Sequence, residues 1–360
     1  MRESSSWIVI TALLGVCLAV GAAPVHPAEA QREEKDTMTV TEEPVSVPFV
    51  TLRNRTESSS PAEYFGGARG EPRAGICTVA FSPIRGLEEI AGAAPFYIPD
   101  ETIEITALRE TPIEHLFNEV ESFLAKDNGN VVIYIHGYNI DFEKSCRRSA
   151  VLQRALGLHD RLLLFSWPAD GNVLKYTWDE ADLVWSVPYL AHFIDEIVKR
   201  VGKGKVDVVA HSLGARGVMQ ALARMAYRES AASILNELVL IAPDIDTGIF
   251  TEELPLVRKT ASRVTIYASD NDKALKLSHE VHGYPRLGMA GEHLTVLEGV
   301  ETIDISSIST RRFSGHIYHL FNPEVIEDLK QLLHTGEPAR QRTGLHIIEN
   351  DGLPHWQLVK

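Results

Sequence analysis

The sequence predicts an α/β fold with a mostly parallel, doubly wound sheet of about eight strands and helices on both faces. Apolar runs of strand length alternate with helical patterns along most of the 360 residues, which is typical of parallel βαβ units. Hydrophobic residues make up 44% of the chain, enough for a large core. Without an internal repeat or a break in composition, residues 48–333 are predicted to form one domain.

The strands of this domain are predicted at residues 76–81, 102–107, 131–135, 162–165, 206–209, 238–241, 264–267 and 302–305, with a weaker candidate at 49–52. Residues 66–70 are glycine-rich and read as a loop. The last helix has a clear start, with Asn322 as N-cap and Pro323 at the first helical position. Residues 334–360 are predicted to be a loosely ordered tail, in which 345–348 could add one strand.

The N-terminal segment is predicted to be a signal peptide and not part of the fold. Arg2 precedes an apolar run over residues 7–23, and small residues follow it at suitable cleavage positions. An uncleaved membrane anchor is the alternative, since the run is nearly long enough to span a bilayer. We therefore expect residues 1–30 to be the signal or anchor, residues 31–47 to be a flexible linker, and the protein to be periplasmic or secreted.

Composition also restricts the class of partner. The net charge is −14, from 35 basic and 49 acidic residues, and no basic cluster is present, so a nucleic acid partner is not expected. Membrane contact is expected only if the N-terminal segment is uncleaved. Beyond that segment, Cys77 and Cys146 could form one disulfide or remain core thiols, and their spacing is not that of a metal site.

A nucleophile elbow is predicted within residues 206–214, which read Val-Asp-Val-Val-Ala-His-Ser-Leu-Gly. Ser212 ends a β-branched strand, and the small residues Ala210 and Gly214 lie two positions to either side of it. Only small neighbours fit such a sharp strand-to-helix turn, which exposes the hydroxyl beside the amides of the next helix. The alternative is that Ser212 is only the N-cap of an ordinary βα unit.

An acid and a base for this serine follow later strands. Strand 264–267 is followed by Ser269-Asp270-Asn271-Asp272, and strand 302–305 by a loop that contains Gly315-His316. Loops after parallel strands gather at one edge of a sheet, so these side chains can reach Ser212. Asp244 and Asp246 also follow a strand. They are candidate pocket residues, but they are more simply explained as loop caps or braces.

Two sets of motifs resemble known enzymes. Ala210-His211-Ser212-Leu213-Gly214, Ser269-Asp270-Asn271-Asp272 and Gly315-His316 look like the esterase/lipase-like α/β-hydrolases, although Ala210 stands where glycine is usual. Within that superfamily, four motifs are similar to a bacterial branch known chiefly as a domain of unknown function: Ile135-His136-Gly137-Tyr138-Asn139, Phe165-Ser166-Trp167-Pro168, Ala242-Pro243-Asp244-Ile245-Asp246 and Gly315-His316-Ile317-Tyr318. The similarity covers most of residues 48–333.

The resemblance implies an α/β-hydrolase fold and a serine hydrolase mechanism. In it, Ser212 attacks an ester-like carbonyl, His316 is the general base and Asp272 orients the histidine. The backbone amides of Leu213 and Tyr138 would bind the oxyanion. No metal and no organic cofactor is expected, and the substrate would be a small-molecule ester, with a lipid as one candidate.

Several alternatives stay open at this point. Asp270 could be the acid in place of Asp272, although the superfamily's usual spacing from the strand favours Asp272. His319 could replace His316 as the base, or pair with it on a metal. His136 and Trp167 could line the pocket, but support of the oxyanion loop and a place in the core are simpler explanations. A thioesterase, a peptidase or amidase, and an inactive binding protein on the same fold are the functional alternatives.

Overall fold

The computed structural model describes most of the chain: residues 43–81, 103–124, 129–159, 161–228, 232–308, 315–350 and 352–360. The predicted signal peptide, most of the predicted linker and the start of the strand predicted at 102 lie outside the described residues. None of the helices within these ranges has both the length and the apolar character that crossing a membrane requires.

The described ranges contain eleven strands and eight α-helices. The strands are β1 (Val45–Arg55), β2 (Phe65–Phe81), β3 (Ile103–Thr111), β4 (Val131–Ile135), β5 (Leu162–Ser166), β6 (Val206–His211), β7 (Leu235–Ile241), β8 (Ala261–Ala268), β9 (Glu301–Asp304), β10 (Leu345–Asn350) and β11 (Leu353–Leu358). The helices are α1 (Ile113–Leu124), α2 (Phe142–Leu156), α3 (Tyr176–Val201), α4 (Leu213–Ala226), α5 (Thr247–Thr260), α6 (Lys273–His282), α7 (Tyr318–Phe321) and α8 (Pro323–Thr335).

The strands of the described chain form one sheet in the order β10-β11-β9-β8-β7-β6-β4-β5-β1-β2-β3. Every pair from β11 to β1 along this order is parallel, whereas β1 with β2, β2 with β3, and β10 with β11 are antiparallel. The predicted mostly parallel α/β class is therefore confirmed. The strand at 49–52 is part of β1, and the glycine-rich segment read as a loop lies within the long strand β2.

Two apolar layers cover the two faces of the sheet. In β4 the side chains of Val131, Ile133 and Ile135 pack into one layer, while those of Val132 and Tyr134 pack into the other. This alternation follows from the two-residue period of a strand. Helices α1, α3, α4 and α5 contribute to the first layer, and α2, α7 and α8 to the second. The sheet is thus covered by helices on both faces, as predicted.

The C-terminal region differs from the expected loosely ordered tail. β10 and β11 form an antiparallel hairpin, and β11 extends the sheet by pairing Trp356 with Ile303 of β9. Trp356 and Leu358 are buried by this pairing, at 9% and 1% exposure. The hairpin covers the strand β9, whose edge would otherwise present unpaired backbone groups. β11 has no clear strand signal in the sequence, because Pro354 and polar residues interrupt its apolar pattern.

Two further expectations concern local features. Asn322 caps α8, since its side chain accepts a hydrogen bond from the Val325 N–H at 2.9 Å, with Pro323 next as predicted. Cys77 of β2 and Cys146 of α2 form a disulfide, which decides between the two states that the sequence left open.

Candidate active site

Ser212 lies at the turn between β6 and α4, at the carboxyl edge of the sheet. Its backbone has φ 55° and ψ −126°, a conformation that residues with a Cβ rarely adopt. Within the described chain, its side chain makes no capping hydrogen bond to α4. Because the hydroxyl is not used by the helix, the simple N-cap explanation does not hold.

Close packing explains the glycines around this turn. A Cβ atom on Gly214 would lie 2.3 Å from the backbone oxygen of His136, and one on Gly137 would lie 2.8 Å from Cβ of Ser212. Neither distance is possible between real atoms, so glycine is required at both positions. The loop after β4 therefore rests directly against the turn that carries Ser212.

His316 and Asp272 complete a hydrogen-bonded chain with this serine. The Ser212 hydroxyl lies 2.8 Å from Nε2 of His316, and Nδ1 of His316 lies 2.6 Å from Oδ2 of Asp272. The side chain of His316 is 15% exposed, whereas that of Asp272 is fully buried. These are the separations that a nucleophile, its base and an orienting acid require.

Asp272 holds this position through its second oxygen. Oδ1 accepts hydrogen bonds from the N–H groups of Ala274 and Leu275, both at 3.0 Å, so Asp272 is also the N-cap of α6. Asp270 faces outward, where it forms an ion pair with Lys276 and its side chain is 56% exposed. The structure thus brings Asp272 against the histidine and leaves Asp270 in solvent.

The electrostatics of the site act on His316. Burial by itself would lower the pKa of this imidazole, but the charge of Asp272 and its hydrogen bond outweigh burial, so the pKa is raised above its ordinary value. Asp244 raises it further, and Arg148 opposes the rise. A raised pKa suits a base that takes a proton from serine and holds it during the reaction.

Two backbone amides border the serine. Leu213 follows Ser212 and begins α4, so its N–H belongs to the first turn, where the helix itself offers no acceptor. Tyr138 follows Gly137, whose backbone lies so close to Ser212 that an added Cβ would be 2.8 Å from Cβ of the serine. The resemblance assigns these two amides to the oxyanion hole, and the positive end of the α4 dipole would favour a negative charge beside Leu213.

His136 and Trp167 are fully buried and support the loop that carries Tyr138. Their rings are stacked with centroids 5.1 Å apart, and the Trp167 indole N–H donates to the His136 backbone oxygen at 2.9 Å. Nδ1 of His136 donates to the Gly137 backbone oxygen at 2.9 Å. Burial, with the nearby Arg53 cation, lowers the pKa of His136 well below its ordinary value. These side chains brace the loop and do not line an open pocket.

Asp244 and Asp246 have different structural roles. The carboxylate of Asp244 accepts hydrogen bonds from Tyr176 at 2.6 Å, Ser278 at 2.6 Å and Arg286 at 2.7 Å, and it is 3% exposed. Burial would raise its pKa, but the Arg286 and Arg216 cations keep the pKa below its ordinary value. Asp246 caps α5, since its Oδ1 accepts from the backbone N–H at position 249. Both therefore brace or cap the loop after β7.

The other two histidines near the serine, His211 and His319, are buried. Nε2 of His211 donates to the His316 backbone oxygen at 2.9 Å, and the His319 ring packs on His211 with centroids 4.5 Å apart. His319 is fully buried, and its Nε2 lies 3.4 Å from the Tyr134 hydroxyl. His316, and not His319, is the histidine that contacts Ser212. In the described part of the chain, no three His, Cys, Asp or Glu side chains are arranged to hold a metal ion.

Tyr138 and Tyr176 form an aromatic pair that is connected to the serine turn. The rings of Tyr138 and Tyr176 meet edge to face with centroids 4.9 Å apart, and the Tyr176 hydroxyl is fixed by Asp244. Asp244 in turn donates its backbone N–H to the Ser212 backbone oxygen at 3.2 Å. Asp244 thus links the aromatic pair of Tyr138 and Tyr176 to the turn that carries Ser212.

Sequence reasoning missed two buried charges of this region, Arg53 and Asp179. Both are fully buried, and both bind the loops after β4 and β5. The one available signal was an arginine directly after the apolar run 49–52, which reads most simply as the end of a strand.

Comparisons with known proteins agree with this architecture. A family model described as an alpha/beta hydrolase of unknown function (DUF900) matches residues 114–335, more than half of the chain. The uncharacterized protein alr1448 of Nostoc sp. (strain PCC 7120) is 29% identical over 150 residues. That match spans 34% of this chain and 38% of the relative, well under two thirds of the relative's length.

Solved structures are similar only remotely. A putative esterase from Staphylococcus aureus is 12% identical, with 68% of this chain and 95% of that chain covered and a TM-score of 0.34. The carboxylesterase CesB of Bacillus subtilis is 11% identical, with coverages of 59% and 86% and a TM-score of 0.30. The assignment therefore depends on the family match. On that match, the chain belongs to the family of alpha/beta hydrolases of unknown function (DUF900).

Proposed function

We propose that this protein is a serine hydrolase that cleaves carboxylic esters through an acyl-enzyme. The observation that carries the proposal is the hydrogen-bonded chain from Ser212 through His316 to Asp272, with separations of 2.8 and 2.6 Å, at a strained strand-to-helix turn. A strained turn persists only where the surrounding structure holds it, and such turns cluster at functional sites.

In the proposed reaction, Nε2 of His316 takes the hydroxyl proton as the Ser212 oxygen attacks the ester carbonyl carbon. The resulting oxyanion accepts hydrogen bonds from the amides of Leu213 and Tyr138. The intermediate then collapses, the C–O bond to the alcohol breaks, and His316 returns the proton to the leaving oxygen. Water, activated by the same imidazole, releases the acid. Asp272 orients the imidazole through its hydrogen bond to Nδ1 and stabilises the imidazolium.

The substrate and the location are part of the proposal. The aromatic pair Tyr138 and Tyr176 supports an apolar acyl or alcohol group, as in a small ester or a lipid. The disulfide between Cys77 and Cys146 supports an oxidising compartment, the periplasm or the exterior. The apolar N-terminal run is the expected export signal.

Hydrolysis of p-nitrophenyl esters from acetate to palmitate by the mature domain tests the proposal. Ser212→Ala is measured beside the wild type, and labelling by a fluorophosphonate probe is followed in both. Ser262→Ala is the matched control, because Ser262 is exposed and its hydroxyl bonds only to the Leu235 backbone oxygen among the described residues. We expect ester hydrolysis and labelling in the wild type and the control, and neither in Ser212→Ala.

Each other outcome has a definite meaning. Labelling without ester hydrolysis would replace the ester with a thioester or amide substrate on the same machinery. A folded wild type that is neither active nor labelled would contradict the proposal and favour a binding protein on a hydrolase fold. Activity that persists in Ser212→Ala would assign the chemistry to another residue.

A further inference from the structure

Arg53 connects two loops at the active-site edge of the sheet. From β1 its guanidinium donates to the backbone oxygens of Ile140, at 2.6 Å, and Ala169, at 2.7 Å. Its Nε donates to the Ser166 hydroxyl at 3.0 Å. The first oxygen belongs to the loop after β4, which carries Tyr138, and the other two acceptors belong to the end of β5 and the loop after it. One fully buried cation thus ties the two loops together through their carbonyl groups.

Asp179 connects the same two loops through their amide groups. From α3 its Oδ2 accepts the Asn139 N–H at 3.1 Å, and its Oδ1 accepts the Asp170 N–H at 2.9 Å. This carboxylate is also fully buried. Arg53 and Asp179 are therefore complementary, since the cation binds the acceptors and the anion binds the donors of two neighbouring loops. We call these two residues the loop clamp.

Burial of this kind is unfavourable unless it is compensated. Burial lowers the pKa of Arg53 to about 10, against the attraction of acidic neighbours that include Asp141 and Asp179. Burial likewise raises the pKa of Asp179, and the two backbone hydrogen bonds oppose the rise. A buried charge without partners would be strongly destabilising, and the backbone groups of the two loops supply hydrogen bonds that offset this cost.

The clamp acts on the segment that contains the Tyr138 amide. On one side of Tyr138, Gly137 packs so closely beside Ser212 that it leaves no room for a Cβ atom. On the other side, Asn139 has a φ of 58°, and its N–H is bound by Asp179. The carbonyl of the next residue, Ile140, is bound by Arg53. Tyr138 is thus fixed from both directions, and a positive φ that costs energy at a non-glycine residue is maintained.

We propose that Arg53 and Asp179 are positioning residues that hold the Tyr138 amide where the oxyanion forms. This inference rests on the proposed function, because it assigns to Tyr138 a place in the oxyanion hole. Among the described residues, no hydrogen bond joins Arg53 or Asp179 to Ser212 or His316. The clamp therefore acts on the site through the backbone of the loop that it holds. Preorganised donors stabilise the transition state more than the bound ester, and a misplacement of about 1 Å can lower a rate about 100-fold.

The test uses Asp179→Asn in the mature protein. Each oxygen of Asp179 accepts a different loop N–H, so an amide in the same orientation places an NH₂ group opposite one of the two donors and loses that hydrogen bond. We expect kcat for p-nitrophenyl butyrate to fall about 10- to 100-fold, with KM within about two-fold of wild type. Fluorophosphonate labelling should slow by the same factor. Backbone amide exchange over residues 137–141 or 166–171 should become faster, which reports the loss of the clamp without any need for turnover.

Asp195→Asn is the matched control. It removes a carboxylate from the same helix, but Asp195 pairs with Lys199 at 3.2 Å and Arg228 at 2.8 Å and touches neither loop by a hydrogen bond. Its kcat should stay within two-fold of wild type. Ser212→Ala, measured beside these variants, separates the proposed hydrolase function from the role of the clamp. If the wild type is active and depends on Ser212, but Asp179→Asn is fully active, the role of the clamp is wrong and the proposed function stands.

The remaining outcomes also test whether Arg53 and Asp179 position the Tyr138 amide. If Asp179→Asn raises KM and leaves kcat unchanged, the residue serves substrate binding and the inference is wrong. If this variant does not fold, Arg53→Lys replaces it, since an ammonium cannot span the same two carbonyls and should lower kcat with KM preserved. If neither variant folds, the two residues serve the fold and not the site. A wild type without activity or labelling would overturn both the proposed function and the role of the clamp.

Discussion

Asp272→Asn is the substitution whose effect the structure defines most sharply. The Oδ1 atom of Asp272 accepts hydrogen bonds from two backbone N–H groups of α6, and the Oδ2 atom accepts a hydrogen bond from Nδ1–H of His316. In the asparagine variant, the side-chain oxygen must take the place of Oδ1, because an NH₂ group there would face the two N–H donors of α6. The amide nitrogen must therefore face His316. A donor opposite Nδ1 forces the imidazole into the tautomer with the proton on Nε2.

This tautomer cannot act as the base, because its Nε2–H points at the Ser212 oxygen, 2.8 Å away. Loss of the correct tautomer with the geometry retained lowers kcat by about 10⁴ in a serine protease, equivalent to about 5 kcal/mol of activation free energy. The fold should change little, because asparagine caps a helix about as well as aspartate. We thus expect a large loss of activity with a nearly unchanged free energy of unfolding.

The assay is steady-state hydrolysis of p-nitrophenyl butyrate, with urea denaturation of the same samples. Asp270→Asn is the matched control, two residues away, and should lose only an exposed ion pair with Lys276, worth at most about 1 kcal/mol. Its kcat should remain within two-fold of wild type. Retention of more than a tenth of wild-type kcat in Asp272→Asn would refute the tautomer argument, and a reversed pair of results would transfer the role to Asp270.

Three further predictions concern pH, packing and the disulfide. The raised pKa of His316 means that kcat/KM should fall as pH decreases through a midpoint above 6.5, because the protonated imidazole cannot accept the serine proton; a midpoint of 6 or below in the wild type would contradict this. Gly214→Ala places a Cβ 2.3 Å from the His136 oxygen and should lower both kcat and the free energy of unfolding, the latter by about 1–3 kcal/mol in urea titrations; wild-type values would show that the turn can relax. Replacing Cys77 and Cys146 together by serine opens a loop with a sequence separation of 69 and should lower that free energy by about 4 kcal/mol, whereas an unchanged urea midpoint would argue that the thiols are reduced in the purified protein.

Much of the fold was predictable because its signals are local. The alternation of buried strands with helical patterns identifies parallel βαβ units from short windows, and the structure has this arrangement. The two ends of the sheet were harder. β1 to β3 and the hairpin of β10 and β11 are antiparallel, and their pairing partners lie at the sheet edges, where apolar patterns are weaker and interrupted by glycine, proline and charge.

The residues of the site also differ in whether a local sequence pattern is enough to predict them. Ser212 was found from five consecutive residues, because the sharp turn restricts the residues next to it. His316 and the acidic loop after β8 were found because the carboxyl ends of parallel strands meet at one edge. The usual spacing from the strand favoured Asp272 over Asp270 but left both open, since both follow the same strand. The choice depends on which carboxylate faces the imidazole and which faces solvent.

The sequence by itself therefore determined the sheet class, the serine turn and the set of loops that supply its partners. Only the tertiary structure decided which member of each loop joins the hydrogen-bonded chain that starts at Ser212, and that Arg53 and Asp179 hold the loop of Tyr138. The physical reason is that these contacts join residues far apart in the chain: Arg53 binds carbonyls 87 and 116 positions away, and Asp179 binds an amide 40 positions away. Periodicity and local preference describe neighbours along the chain, whereas a buried charge is defined by the distant groups that compensate it.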